Sequence, residues 1–419
     1  MPRPDRDFPD LRVALISFEF PPAVAIGGIG TYAAQAARSL ANHGVSPVVF
    51  SAGISAGVER TEEGVTVHRI AAADRRTFAP ALVPALLAEH ARRPIDLIEA
   101  PEIGPEGAEA FAALPSAARV VKLHTPTFLL ERLGSDPLPP GARLRFFLGA
   151  LRRGRWQTAP SPRRSIADED PECRGARLAD EVAAPCAAIA ELVGKEWSLP
   201  TDRLSIFPLP YSPPAALLAL DPPEAVRTVG FLGRLEPRKG VLEMAEAIPQ
   251  MLRAAPHLRF RFIGPSWPFQ GGDMRAWIER RLTRHRAAME FTGAVSPGDI
   301  PAQLARCDAV VLPSRWENFP YACWESLAAA RVVIGSAAGG MADVIEPGVS
   351  GLLIPPRAPA AIAAAVLSLL GMPGRCGALA AKGRARVLEL LAPERVLPLQ
   401  LASYARARAR AGGRASPGS

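Results

Sequence analysis

The chain has 419 residues, with 49 Lys or Arg against 41 Asp or Glu and a formal net charge of +8. That length suits two or three domains with a sizeable core, and a hydrophobic share of 48% places the chain with soluble globular proteins. No apolar run approaches the roughly 18 residues of a membrane span, and the polar, proline-rich start does not resemble a secretory signal, so a cytoplasmic location is expected. The five cysteines have neither metal-like nor paired spacing and read as reduced and structural. Most of the positive charge is arginine, lysine occurring only as Lys122, Lys195, Lys239 and Lys382. No nucleic-acid motif accompanies it, and an anionic substrate or an acidic membrane surface accounts for it equally well.

Residues 11–17 predict a first strand. A loop follows, then the run Gly27-Gly28-Ile29-Gly30, a helix over 31–43 stopped by Gly44, and a strand over 45–51. This is the grammar of a βαβ unit. Gly28 and Gly30 let a backbone approach a ligand closely and turn N–H groups towards phosphate, with an ordinary turn as the alternative. A dinucleotide fingerprint fits poorly, because its third glycine is missing and the loop after the strand is too long. Strands are expected over 65–70, 95–99 and 118–123, with a helix over 79–92. His124 follows the last of these strands directly, at a carboxyl end.

Over residues 138–156 the apolar Leu144, Phe146, Phe147, Leu148 and Leu151 are interleaved with arginines. The segment reads either as a basic amphipathic helix against a membrane or an acidic acceptor, or as a solvated helix with one face on the core. Asp168-Glu169-Asp170 has the D-x-D form of metal-dependent sugar transferases. It follows no strand and is discounted as a metal site. A strand, helix and strand over 181–185, 186–197 and 204–207 lead to residues 208–224, whose six prolines mark the clearest linker.

The second half opens with a strand over 227–232, the run Gly233-Arg234-Leu235-Glu236-Pro237-Arg238-Lys239-Gly240 and a helix to about 253. Arg234 suits a bidentate fork on phosphate and Lys239 a point charge on it. The alternative is a pair of surface cations at a helix start. Strands follow over 258–263, 289–292 and 309–312, and Gly264 and Gly293 end two of them. Residues 314–325 then read S-R-W-E-N-F-P-Y-A-C-W-E. Glu317 falls in the loop after the strand and Glu325 inside the next helix, with Pro320 in its first turn. Carboxylates beside the free N–H groups of Asn318, Phe319 and Tyr321, at a strand's carboxyl end, suit a polyhydroxylated and partly anionic ligand. Two solvated glutamates flanking a helix start are the plainer alternative. A strand over 332–335, the loop Ala337-Ala338-Gly339-Gly340 and helices over 359–370, 375–391 and 393–410 complete the chain. A disordered tail is expected from 412.

The two glutamates with seven residues between them, the run Gly230-Phe231-Leu232-Gly233-Arg234 with Lys239, and the glycines Gly335, Gly339, Gly340, Gly348 and Gly351 resemble the retaining glycosyltransferases of family 4, or glycosyl transferase group 1. The likeness covers the second half well and the first half more loosely. It implies an α/β fold of the GT-B type, two Rossmann-like domains facing each other across a deep cleft. On that resemblance residues 1–208 form the acceptor-side domain, 209–225 the linker, 226–392 the nucleotide-sugar domain, 393–411 a helix crossing back to the first domain, and 412–419 a disordered tail.

The resemblance also implies an activity: retaining transfer of a hexosyl unit, by front-face attack, from a nucleotide-diphosphate sugar to a glycan, lipid-linked or small-molecule acceptor in cell-surface polysaccharide biosynthesis. Carried over by motif, Glu317 and the N–H groups of Asn318 and Phe319 hold the sugar hydroxyls, and Glu325 accepts from the ribose. Arg234, Lys239 and the loop of Gly28 and Gly30 meet the diphosphate, His124 lies near the reacting carbon, and Gly233 and Pro320 line the donor pocket. The loop ending in Gly339-Gly340 is expected beneath the diphosphate, and Gly264 and Gly293 against the base. No metal and no separate cofactor is expected. The expected partners are the nucleotide-sugar donor, the glycan or lipid-linked acceptor and, peripherally, the inner face of the membrane, with no nucleic acid. Two departures stand out. Pro208-Leu209-Pro210 replaces an Asn-Gly or Asn-Pro pair common in the family, and Asp343 stands where a glutamate is frequent. A nucleotide-sugar epimerase on the same fold and a non-catalytic nucleotide-sugar-binding subunit are the rival readings.

Overall fold

The computed structural model describes residues 11–414, apart from 24–26, 135–146, 153, 155, 157–169 and 372–373. Two sheets organise it. The first holds β1 (Arg12–Ile16), β2 (Ser46–Gly53), β3 (Gly57–Arg60), β4 (Thr66–Ala71), β5 (Leu97–Pro101), β6 (Ala118–Lys122), β7 (Glu181–Ala184) and β8 (Leu204–Ile206), in the order β3-β4-β2-β1-β5-β6-β7-β8. Neighbours run parallel except β3, which is antiparallel to β4. The strands β1 and β5 are buried along their whole length, as parallel strands covered by helices on both faces should be, and each carries one charged residue, Arg12 and Glu99.

The second sheet holds β9 (Thr228–Leu232), β10 (Arg259–Ile263), β13 (Met289–Gly293), β14 (Ala309–Leu312), β15 (Val332–Ser336) and β16 (Leu352–Ile354), in the order β13-β10-β9-β14-β15-β16. All its pairings are parallel, and a short hairpin of β11 (Pro268–Phe269) and β12 (Gly272–Asp273) stands apart. Side chains alternate across β14. Val310 and Leu312 join an apolar core continuous with that of the first sheet, while Ala309 and Val311 join a second core under the opposite face. In each sheet the strand order reverses, between β1 and β5 and between β9 and β14. Open parallel sheets bind ligands at the carboxyl ends of such switch points.

Helix starts explain some differences from the sequence reading. Asp74 caps the helix Arg75–Arg92, accepting from the Thr77 N–H at 2.8 Å in a capping box, so that helix begins before the expected residue 79. The helix Gly28–Asn42 likewise begins at Gly28 rather than at 31. Asp170 caps the helix Pro171–Leu178, accepting from Glu172 at 2.9 Å. The rest of the D-x-D triplet, and most of the amphipathic segment read over 138–156, lie outside the described residues.

The last helix, Pro393–Arg414, packs on β6 and β7 of the first sheet. Tyr404 Oη donates to Glu99 Oε2 at 2.8 Å, and Gln400 Nε2 donates to Tyr404 Oη at 2.7 Å. Arg406 Nε donates to Glu181 Oε1 at 2.8 Å, and Arg410 pairs with the same carboxylate. Residues 412–414, expected to be disordered, are helical: Arg414 pairs with Asp180 and extends the packed surface. All five cysteines are buried, and none is in a disulfide. Among the described residues no single helix is long and apolar enough to cross a membrane.

Candidate functional site

The loops after β9 and β14, neighbouring strands in the sheet, are pressed together. Gly240 is left-handed at φ +75°, and a Cβ there would fall 2.0 Å from the Pro313 carbonyl oxygen. Arg315 N–H donates to the Arg238 carbonyl at 2.9 Å. This contact delivers Lys239, at the end of the turn Pro237–Lys239, to Glu317. Lys239 Nζ pairs with Glu317 Oε1, Ser314 Oγ donates to the same oxygen at 2.9 Å, and Arg238 Nη1 lies 3.8 Å from it. Burial pushes the Glu317 carboxyl up, but the charges of Lys239 and Arg238, with hydrogen bonds from Lys239 and Ser314, hold it below its ordinary value. Burial lowers the Lys239 ammonium despite the attraction of Glu317.

Arg234 does not join this group. Its half-exposed guanidinium lies over the Trp267 ring, 5.1 Å from the centroid, and 3.3 Å from Glu236 Oε1. Arg238, which the sequence reading passed over, takes the place beside Glu317 instead. Arg238 Nη2 donates at 2.8 Å to the Glu236 oxygen that Arg234 also approaches, while Arg238 Nη1 is turned towards Glu317. Gly233 has φ +140°, and a Cβ there would meet nothing within 4 Å, so its backbone faces open space.

Gly339 and Gly340 hold the Glu317 loop in place. Gly339 has φ +95°, and a Cβ on it would lie 1.8 Å from the Glu317 carbonyl oxygen; one on Gly340 would lie 2.0 Å from that of Asn318. Glu317 N–H donates to Ala338 O at 3.2 Å and Gly340 N–H to Glu317 O at 2.9 Å, a short parallel bridge that fixes the loop. Close backbone contact with the Glu317 loop explains both glycines.

Beyond Glu317, the N–H groups of Asn318 and Phe319 donate to no backbone acceptor among the described residues. The Asn318 side chain crosses to the first domain. Its Nδ2 donates to the His124 carbonyl and, at 3.4 Å, to that of Leu123, while Cys186 Sγ donates to Asn318 O at 3.3 Å. Its N–H is left for a ligand, the group that the sequence reading gave to the sugar. Phe319 packs on Trp324 with ring centroids 4.6 Å apart. Pro320 sits at the N-cap of the helix Tyr321–Ala328, one residue before its first turn. In that helix Glu325 is half-buried, and no ion pair or hydrogen bond to its carboxylate is found among the described residues. Burial alone raises its carboxyl to about 7. A second bridge between the domains joins Asp343 Oδ2 to the N–H of Ala187, at 3.2 Å, at the start of the helix Ala187–Glu196.

His124 follows β6 as read from the sequence. Its N–H donates to both oxygens of Glu102, at 3.0 and 2.9 Å, and its ring meets the edge of Tyr32 at 5.4 Å. Burial, with help from Lys122 and Arg75, brings the imidazole down to about 3, so it is neutral at working pH. Burial and the neighbouring Glu172 raise Glu102 to about 8. Neither Glu102 nor its hold on His124 was legible in the sequence. Gly28 is an exposed first residue of its helix, and Gly30 is buried, where a Cβ would come 3.0 Å from the Cβ of Glu19. The glycines therefore open a helix around the Glu19 side chain, and the contact with Glu19 accounts for Gly30.

Lys239, Glu317, Asn318 and His124 thus form one connected series, while Arg234 is turned towards Glu236 and Trp267. Among the described residues no group of three or more His, Cys, Asp or Glu is placed to hold a metal ion.

The family model for glycosyl transferases group 1 matches residues 226–372, and that for the glycosyl transferase 4-like domain matches residues 27–210. The chain belongs to the group 1 glycosyltransferases. Glycogen synthase of Mycobacterium tuberculosis is 34% identical over 158 residues, covering 37% of this chain and 36% of the relative. A D-inositol 3-phosphate glycosyltransferase of Segniliparus rotundus is 33% identical over 176 residues, 41% of this chain and 37% of the relative. These matches span little more than a third of each relative. The enzyme of the same description from Kribbella flavida is 27% identical over 386 residues, 84% of this chain and 85% of its own. Sucrose-phosphate synthase from Thermosynechococcus elongatus superposes with TM-score 0.72 at 20% identity, over 96% of this chain and 100% of that one. Anabaena HepE in complex with UDP does so with TM-score 0.64 at 17% identity, over 94% and 100%. The fold is GT-B.

Proposed function

We propose that this group 1 glycosyltransferase moves a hexosyl unit, with retention, from a nucleotide-diphosphate sugar to a hydroxyl acceptor, and that the donor lies against the carboxyl ends of β9 and β14. The observation that carries the reading is the Lys239–Glu317 pair, set beside the unpartnered Glu325 carboxylate and the N–H groups of Asn318 and Phe319. Glu317, kept ionised, accepts from sugar hydroxyls, and Glu325 accepts from the ribose. Lys239 and Arg238 face the charge that builds on the departing diphosphate. Preorganised cations at such a point are commonly worth about 3–4 kcal/mol each. Neutral His124 is a donor or acceptor rather than a charge. The UDP bound by the neighbouring fold of HepE supports a nucleotide ligand. Arginine and lysine at the diphosphate take the part a divalent ion plays elsewhere, and the acceptor is a cell-surface glycan or its lipid-linked precursor met on the cytoplasmic side.

The test is a screen of UDP-, GDP- and ADP-sugars with EDTA present, following nucleotide release and the anomeric configuration of the product. Release of one nucleotide, lost in Lys239→Ala and Glu317→Ala, is the expected result. Nucleotide binding without release in the presence of cell-extract acceptors overturns the reading.

A further inference from the structure

Away from the cleft, a cavity of about 290 Å³ opens at the amino ends of β9, β10 and β13, the edge opposite the one that carries Glu317. Arg259 and Arg261 of β10, Glu290 of β13 and Arg306, just before β14, line it. Arg259 and Arg261 are two residues apart, so their side chains leave the same face of the sheet, while Phe260 and Phe262 fill the core on the other. Three guanidinium groups therefore share a cavity in which Glu290 is the only acid.

Glu290 does not satisfy them. Its Oε2 pairs with Arg261 Nη1 and also lies 3.2 Å from Arg306 Nη2. The Arg261 side chain is only 4% exposed, and its Nη2 donates to Gln303 Oε1. Its Nε has no acceptor, and its Nη1 meets Glu290 as an ion pair without the alignment of a hydrogen bond. A buried guanidinium with idle N–H donors bears an uncompensated desolvation cost. A small dianion with several oxygens would relieve it, because guanidinium forks match phosphate geometry.

We propose that this cavity is a second anion site that takes the phosphate group of inorganic phosphate or of a small phosphomonoester. Its volume lies at the lower edge of the roughly 300–1,000 Å³ range of sites for drug-sized ligands, which excludes a whole nucleotide sugar. The site is independent of the donor cleft and of the activity proposed for it.

The experiment is thermal unfolding of the full chain as phosphate replaces chloride at constant ionic strength, repeated with glucose 1-phosphate. It is run on the wild type, on Lys239→Ala, in which the cation of the cleft is absent, and on Arg259→Ala/Arg306→Ala, whose side chains are exposed enough to leave folding intact. Phosphate is expected to raise the midpoint in the first two, and the double variant to bind it at least about tenfold more weakly. Tighter binding of the ester assigns the site to phosphomonoesters, and equal binding assigns it to free phosphate. An equal response to phosphate in the double variant, loss of the response in Lys239→Ala, or the same stabilisation by chloride overturns the proposal.

Discussion

Glu325→Gln separates the burden of a ligand-binding carboxylate from its use. In the folded protein burial raises this carboxyl from 4.5 to about 7. At about 1.4 kcal/mol per unit, that difference amounts to about 3 kcal/mol. The sign follows from proton binding. Between the two values the folded protein keeps a proton that the unfolded chain has already released, so the group's contribution to stability is lost as pH rises from 4.5 to about 7. Glutamine does not titrate. The variant should be more stable than the wild type by about 3 kcal/mol near pH 8, and the gap should close to below about 1 kcal/mol near pH 5. Urea unfolding followed by tryptophan fluorescence measures both, through the midpoint at constant slope. Nucleotide affinity should fall about tenfold in the variant near pH 8, because a neutral amide accepts less strongly than a carboxylate. A stability difference that does not change with pH, or a variant less stable near pH 8, would refute the account of Glu325 as an unpaired carboxylate awaiting a ligand.

Lys239→Met should lower kcat/KM about 10²–10³-fold while costing about 1–3 kcal/mol in urea unfolding, since Ser314 and Arg238 still hold Glu317; nucleotide release within threefold of the wild type would remove Lys239 from the mechanism. Gly339→Ala places a Cβ 1.8 Å from the Glu317 carbonyl oxygen at φ +95°. It should cost about 3 kcal/mol or more and most of the activity, against no more than a few tenths for Gly57→Ala, whose Cβ would meet nothing within 4 Å. Asn318→Ala leaves the carbonyls of His124 and Leu123 without their donor across the domain boundary. A loss of about 1–3 kcal/mol and a larger radius of gyration by small-angle scattering are expected, and an unchanged radius would argue that other contacts keep the domains together.

The strands of both sheets that bind the cleft were legible because a fully buried parallel strand is a short apolar run between turn residues. The positions of Glu317, Glu325, Lys239 and His124 followed from strand ends and motif spacing. What stayed hidden depends on contacts made far along the chain. Glu102 holds His124 from the loop after β5, and Asn318 reaches another domain. Arg234 and Arg238 share one carboxylate, Glu236, and spacing does not resolve which of them also reaches Glu317. The strand β3 has four exposed residues with no apolar alternation to betray it. The functional look of Gly28, Gly30, Gly339 and Gly340 shows the limit of reading glycine. A close approach requires the residue whether the approaching atom belongs to a ligand or to the chain itself, and at Gly30, Gly339 and Gly340 it belongs to the chain.

The last helix imposes an order on biosynthesis. The first sheet is made early, yet Glu99 and Glu181, 3% and 0% exposed, find partners in Tyr404, Arg406 and Arg410, which a ribosome adds only after the whole second domain. A nascent first domain therefore holds Glu99 and Glu181 with the Tyr32 and Ser205 hydroxyls as donors but without the cations and the tyrosine of the last helix, and it has an uncovered face over β6 and β7. A stop codon just before 393 would leave them so permanently, and proteolytic surveillance, rather than loss of any cleft residue, would decide the fate of that product.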